Sequence, residues 1–164
     1  QEGAGSEFIL ILPVIRIRET QPGNAENDGW ELFSLAGKKV LLVDDEQAVL
    51  IVAKRTLLSL KMRVETAVNG REAVEKFVAA DGDFDVVLMD LTMPEIDGIE
   101  ALGRMRELRP EVRVVLMSGY DERNTGERYE GAGVTAFLQK PFQLSTLRET
   151  LEEVLADHRN EATA

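Results

Sequence analysis

The sequence has no cysteine, which excludes disulfides, thiolate zinc sites and cysteine nucleophiles, and leaves oxygen ligands or the lone His158 to hold any metal. It has no apolar run reaching the roughly 18 residues of a membrane span. The apolar stretch beginning at Phe8 lacks the basic flank and small-residue cleavage site of a signal peptide. The chain is therefore read as soluble and expected to be cytoplasmic, with no membrane contact of its own, although a parent protein could be membrane-anchored. Positive charge is scarce: 19 Lys and Arg stand against 30 Asp and Glu, a formal net charge of -11. Clustered Lys and Arg drive binding to a phosphate backbone, so nucleic acid is not an expected partner. The acidic balance suits a domain that meets proteins and divalent cations. The first residue is Gln, and the chain is expected to be part of something longer.

What is present is 164 residues with 44% hydrophobic content, enough for one domain with a core and too little for two. From Lys39 onward, short apolar runs alternate with amphipathic stretches. The runs at 40–43, 63–67, 86–89, 112–117 and 134–138 are mostly β-branched or aliphatic, and read as strands buried on both faces of a parallel sheet. The stretches 47–60, 71–80, 98–108 and 144–155 have helical spacing; in the last, Leu144, Leu147, Leu151, Val154 and Leu155 make one stripe. A weaker stretch at 122–131 contains Gly126 and is expected to be a short or mobile helix. Such alternation implies right-handed crossovers and an open parallel sheet with helices on both faces.

In such sheets ligands bind at the carboxyl ends of the strands. The first strand ends in Asp44-Asp45, the third in Asp90, the fourth in Ser118 and the fifth in Lys140. Singly these are weak signals: an Asp-Asp pair is often a turn or helix cap, Lys-Pro surface punctuation, Ser-Gly a turn. Their joint occurrence at successive strand ends is what carries weight. Three carboxylates at one site repel each other and require a cation to stay ionised. A hard, oxygen-seeking ion such as Mg²⁺ would take one or two carboxylates and a backbone carbonyl. With a lysine and a small hydroxyl around one carboxylate, these are the parts that stabilise a phosphoryl group in transfer, the carboxylate being the nucleophile.

The segments Val40-Leu41-Leu42-Val43-Asp44-Asp45-Glu46, Asp85-Val86-Val87-Leu88-Met89-Asp90-Leu91-Thr92-Met93-Pro94 with Asp97-Gly98, Val115-Leu116-Met117-Ser118-Gly119 and Phe137-Leu138-Gln139-Lys140-Pro141-Phe142 resemble, in order and spacing, the response-regulator receiver domains of two-component signalling. The resemblance covers residues 38–156. It implies a flavodoxin-like (βα)5 doubly wound parallel sheet of strand order 2-1-3-4-5. It further implies Asp90 as phosphoacceptor, Mg²⁺ held by Asp45, by Asp44 largely through water, by Asp90 and by the Thr92 carbonyl, and Ser118 and Lys140 on the phosphoryl oxygens. Phe137 matches the aromatic that turns inward when Ser118 moves, altering the face formed by segment 122–131, the fifth strand and the last helix. Lys140-Pro141 is similar to the family's cis-prolyl junction. The positions governing self-hydrolysis in the family are Thr92 and Tyr120 here, which implies a moderate rather than very fast rate. The implied partner is the phosphohistidine domain of a histidine kinase or a histidine phosphotransfer protein.

Gly3-Ala4-Gly5-Ser6-Glu7-Phe8 and the Ile-Leu-Ile-Leu-Pro that follows are similar to the last strand of a histidine-kinase ATPase domain. Gly-Ser-Glu-Phe is also what a cloning scar encodes, but a scar would not continue the aliphatic pattern. The expected organisation is a kinase remnant at 1–17, a linker at 18–37, the receiver at 38–156 and a polar tail at 157–164, as in a hybrid sensor kinase. The fragment is not expected to be a kinase by itself, and His158 is read as a solvated end residue. Three rivals share parts of this pattern. A flavin carrier would need a glycine- and hydroxyl-rich phosphate loop where Asp44-Asp45-Glu46 stands. A haloacid-dehalogenase-type phosphatase would need Asp-x-Asp after the first strand. A contact-only pseudo-receiver would not need Asp90, Thr92, Ser118 and Lys140 intact.

Overall fold

The computed structural model describes residues 35–119 and 133–156. Among the described residues nine elements follow one another: β1 Lys39–Val43, α1 Gln47–Ser59, β2 Arg63–Ala67, α2 Gly70–Ala79, β3 Val86–Asp90, α3 Gly98–Leu108, β4 Val114–Ser118, β5 Ala136–Gln139 and α4 Leu144–Ala156. All strand pairs are parallel and the order is β2-β1-β3-β4-β5, as expected from the resemblance. The expected helix at 122–131, the segments 1–17 and 18–34, the tail at 157–164, Tyr120 and His158 lie outside the described residues.

Period-two alternation along β1 divides the core. Leu41 and Val43 join Phe77, Val87, Met89, Leu102, Met105 and Leu116 beneath α2 and α3. Val40 and Leu42 join Leu50, Leu57, Leu88, Met117, Leu147 and Leu151 beneath α1 and α4. Helices on both faces bury every residue of β3 and β4 and four of five in β1. The expectation of two-sided burial fails for β2 and β5, whose patterns alternate with exposed residues. Both are edge strands, so Arg63 and Glu65 reach solvent where an interior strand would carry aliphatics. The fourth strand also begins later than its apolar run: Val112 is buried but turns back through its N–H to the Arg109 carbonyl.

Helix starts follow capping chemistry. The Asn69 side chain accepts from the Glu72 N–H at 2.8 Å, and Asp97 accepts from the Glu100 N–H at 2.8 Å. The parallel pairing puts the carboxyl ends of the strands, and the loops that leave them, on one edge.

Candidate functional site

Each carboxyl end delivers its polar residue because the chain must leave the sheet there. Asp44 follows β1 directly, and its N–H donates to the Ala67 carbonyl at 3.2 Å, which extends the β1–β2 ladder by one rung. Asp44 Oδ1 accepts from the Glu46 N–H at 2.9 Å, closing the turn into α1. Asp90 is the last residue of β3, paired with Met117. Ser118 closes β4 opposite Gln139, and the Lys140 N–H donates to the Ser118 carbonyl at 2.7 Å. The register thus sets Lys140 beside the ends of β3 and β1.

Asp44, Asp45 and Asp90 each place a carboxylate oxygen within 4.8 Å of the others. Asp44 is fully buried, Asp90 is 7% exposed, and Asp45 faces solvent. Lys140 Nζ lies 2.6 Å from Asp44 Oδ2 and 2.8 Å from Asp90 Oδ1, bridging the two buried carboxylates. Four of the sequence-expected site residues, Asp44, Asp45, Asp90 and Lys140, therefore share one cleft. Ser118 is buried at the adjoining strand end, Thr92 is exposed in the loop after Asp90, and Phe137 lies on β5 with 36% of its surface open. Lys140-Pro141 is cis.

Burial holds the Asp90 carboxyl above the usual carboxylate range; Lys140 pulls the other way, while the charges of Asp44 and Asp45 add to the rise. For Lys140 burial disfavours the charge, yet the Asp44 and Asp90 carboxylates outweigh it and hold the ammonium above its ordinary value. One lysine thus faces three carboxylates, and the local charge is not balanced. Asp44 Oδ2 is buried with the Lys140 ammonium, 2.6 Å away and shared with Asp90, beside it. A buried oxygen of that kind beside two further carboxylates fits a hard divalent cation. The donor set is all oxygen, which suits Mg²⁺ better than a soft metal.

Two features escaped the sequence reading. An apolar cavity of about 620 Å³ opens beside Lys140, lined by Val49, Val52 and Ala53 of α1 and by Gly119, Pro141 and Phe142. Next to it, Ile51 and Val52 are 55% and 66% exposed, off the core stripe of Leu50, Ala53 and Leu57. The available signal was an α1 with β-branched residues at positions that core packing does not use. The second feature is the close packing of Gly70 and Gly98 around the loop after Asp90. Among the described residues, no helix is long and apolar enough to cross a membrane.

Comparison with known proteins agrees with this geometry. A family model described as a response regulator receiver domain matches residues 40–152. The chain is similar to the sensor kinase CckA of Brucella abortus (strain 2308), 34% identical over 159 residues, covering 93% of this chain but only 17% of that kinase. It is also similar to the chemotaxis protein CheY of Thermotoga maritima, 35% identical over 119 residues, covering 72% of this chain and 98% of CheY. Among solved structures, the receiver domain of a sensor histidine kinase from Pseudomonas aeruginosa PAO1, with a magnesium ion coordinated in its active site cleft, is 28% identical. It superposes with a TM-score of 0.65 over 74% of this chain and 99% of that one.

Proposed function

We propose, for a chain that belongs to the response regulator receiver domain family, that Asp90 is the phosphoacceptor, that Asp44, Asp45, Asp90 and the Thr92 carbonyl hold Mg²⁺, and that Lys140, Ser118 and Phe137 read the result. The observation that carries this reading is the cluster of Asp90 with a second buried carboxylate, Asp44, with exposed Asp45 and with one lysine at the carboxyl edge of the sheet.

The chemistry follows from charge. An Asp90 oxygen attacks phosphorus in line, the new O–P bond forms as the P–N bond to a partner's histidine breaks, and the imidazole leaves with the bonding pair. Bound Mg²⁺ would neutralise oxygens of the transferring group and allow the three carboxylates to remain ionised together. Lys140 already stands 2.8 Å from Asp90 and can pair with a phosphoryl oxygen without leaving its place. Converting the buried carboxylate to an acyl phosphate introduces a dianion that attracts both Lys140 and the Ser118 hydroxyl. Movement of Ser118 vacates space beside β5, into which Phe137, one third exposed here, can turn. The face around β5 and α4 would then change shape, which is the signal.

The partner is a phosphohistidine-bearing domain. The apolar cavity is lined by Lys140, which contacts Asp90, and by the exposed Val52 of α1, and suits apolar side chains flanking a histidine on a partner helix. The alignment with the CckA kinase covers 93% of this chain, and so extends well into the residues before Lys38, whereas CheY aligns over 72%. That supports reading 1–17 as the end of a kinase ATPase domain, 18–37 as a linker and the parent as a hybrid kinase.

The test is phosphorylation by acetyl phosphate with Mg²⁺, followed as hydroxylamine-labile phosphate, together with amide shifts of Ser118 and Phe137 in beryllofluoride. Incorporation that needs both Asp90 and Mg²⁺ is expected. A folded wild-type protein that takes up no phosphate, or an Asp90→Ala variant that takes up as much, would refute the assignment and leave a contact-only module.

A further inference from the structure

The loop 91–97 between β3 and α3 carries the backbone that follows the acceptor. It is fixed at its start by the Leu91 N–H donating to the Met117 carbonyl at 2.9 Å, and at its end by the Gly98 N–H donating to the Leu91 carbonyl at 3.0 Å. Leu91, Met93 and Ile96 are buried, so the loop is packed against the domain rather than draped over it. Glu95 sits at φ 68°, the left-handed region that non-glycine residues seldom adopt, and its carboxylate lies 2.8 Å from Arg71 of α2.

Two glycines make this shape possible. A methyl group on Gly98 would lie 2.6 Å from the Asp90 carbonyl oxygen, 3.1 Å from Leu91 Cα and 3.2 Å from Leu116 Cδ2. A methyl on Gly70, the first residue of α2, would come closer still to the Ile96 carbonyl oxygen and 3.1 Å from Ile96 Cβ. In both cases the nearest atom is backbone, which cannot swing aside as a side-chain tip can. Gly103, on the same helix as Gly98, has nothing within 4 Å of such a methyl.

We infer that Gly98 and Gly70 are positioning residues for phosphotransfer: lacking side chains, they let α3 and α2 close on the two ends of loop 91–97 and thereby set where the Asp90 carboxylate and the Thr92 carbonyl stand. The inference rests on the assignment of Asp90 and Thr92 above. A Cβ at Gly98 must widen the 2.6 Å approach to the Asp90 carbonyl oxygen toward ordinary contact beyond 3.4 Å, displacing the backbone that carries the acceptor carboxylate. Misplacement approaching 1 Å costs on the order of 10²-fold in rate, and a part of that is expected here.

The experiment compares Gly98→Ala, Gly70→Ala and Gly103→Ala in the full 164-residue chain, each checked by circular dichroism and assayed below its melting transition. The readouts are the saturating rate of phosphorylation by acetyl phosphate, its half-saturating concentration, and the Mg²⁺ dissociation constant measured separately by titration without a donor. Gly98→Ala should lower the saturating rate at least about tenfold and weaken Mg²⁺ binding severalfold while leaving the half-saturating concentration little changed. Gly70→Ala should do the same more weakly, because it presses on the far end of the loop. Gly103→Ala should match wild type in all three. Loss of stability alone would lower the melting point without moving the Mg²⁺ constant. Folded Gly98→Ala and Gly70→Ala proteins with wild-type rates and Mg²⁺ affinity would overturn the inference. So would failure of both to fold, which would make these contacts supports of the core rather than of the acceptor loop. If the wild type itself takes no phosphate, the function proposed above falls first and this inference with it.

Discussion

Replacing Lys140 with methionine keeps most of the side-chain volume and removes the charge, and the consequence can be worked from two distances. The ammonium stands 2.6 Å from Asp44 Oδ2 and 2.8 Å from Asp90 Oδ1, with the lysine side chain 15% exposed and the carboxylates 0% and 9%. At an effective dielectric of about 20 each attraction is about 6 kcal/mol gross, most of it cancelled by the burial of three charges. What remains on removing one partner of a buried pair is typically about 3–5 kcal/mol, because the survivors are left uncompensated. The expected loss for Lys140→Met at pH 7 in EDTA is therefore about 3 kcal/mol, or a fall of about 2 M in a urea midpoint. The deficit should narrow as the pH falls through the raised Asp90 value, because protonation relieves the unpaired carboxylates. Raising the pH toward 9 should change little in the wild type, because the raised Lys140 value keeps that group charged there. Mg²⁺ should restore more stability to the variant than to the wild type, since Asp44 no longer has a lysine to give up; saturation at one hundred times the dissociation constant adds about 2.7 kcal/mol. A variant as stable as wild type in EDTA would refute the claim that Lys140 neutralises this cleft.

Other outcomes follow from single contacts. For Asp85, burial raises the carboxyl, but the Lys39 N–H at 2.7 Å and the Lys38 ammonium at 3.1 Å outweigh it and hold the carboxyl below its usual range. Its contribution is present above the ordinary carboxylate value and lost as the pH falls through the lowered one, so Asp85→Asn should flatten the acid limb of a urea-midpoint profile. Asn69→Ala removes the acceptor of the Glu72 N–H and should cost about 1 kcal/mol in a denaturant melt. Lys61 follows the C-cap of α1 at φ 63°, so Lys61→Gly should stabilise the domain by roughly 0.5–1 kcal/mol in the same assay.

How much of this was legible depends on the range of the forces involved. The four described helices were readable to within a residue or two; of the stripe expected in the last, the structure buries Leu147, Leu151 and Val154, while Leu144 in its first turn is 54% exposed, where the helix overhangs the core. The site edge was readable because topology alone sends every carboxyl end the same way. Central strands were readable as two-sided, but 63–67 was overread: Arg63 and Glu65 already alternated with Val64 and Thr66, a pattern suited to an edge strand. The bridging of Asp44 and Asp90 by one lysine, the cavity beside α1, and the approach of Gly98 to the Asp90 carbonyl depend on tertiary distances of a few ångströms. No spacing in the chain encodes those.

The two ends of the sheet show how differently two of its carboxylates, Asp85 and the proposed acceptor Asp90, are placed. At the amino end, Asp85 takes a backbone N–H and a lysine ammonium, and Arg113 donates to its carbonyl at 3.2 Å. Nearby, Lys39 also faces Glu65 and Asp83 and lies over the Phe84 ring. Cations there meet carboxylates with room to spare, and Asp85 is held ionised. At the carboxyl end one ammonium serves two buried carboxylates with a third alongside, and Asp90 is displaced the other way. Equal residue types thus carry opposite shifts in one domain: burial, helped by the charges of Asp44 and Asp45, prevails at Asp90, while the Lys39 N–H and the Lys38 ammonium outweigh it at Asp85. A fold selecting only for stability would balance both ends; under the function proposed above, keeping one end short of positive charge leaves a divalent cation to balance it.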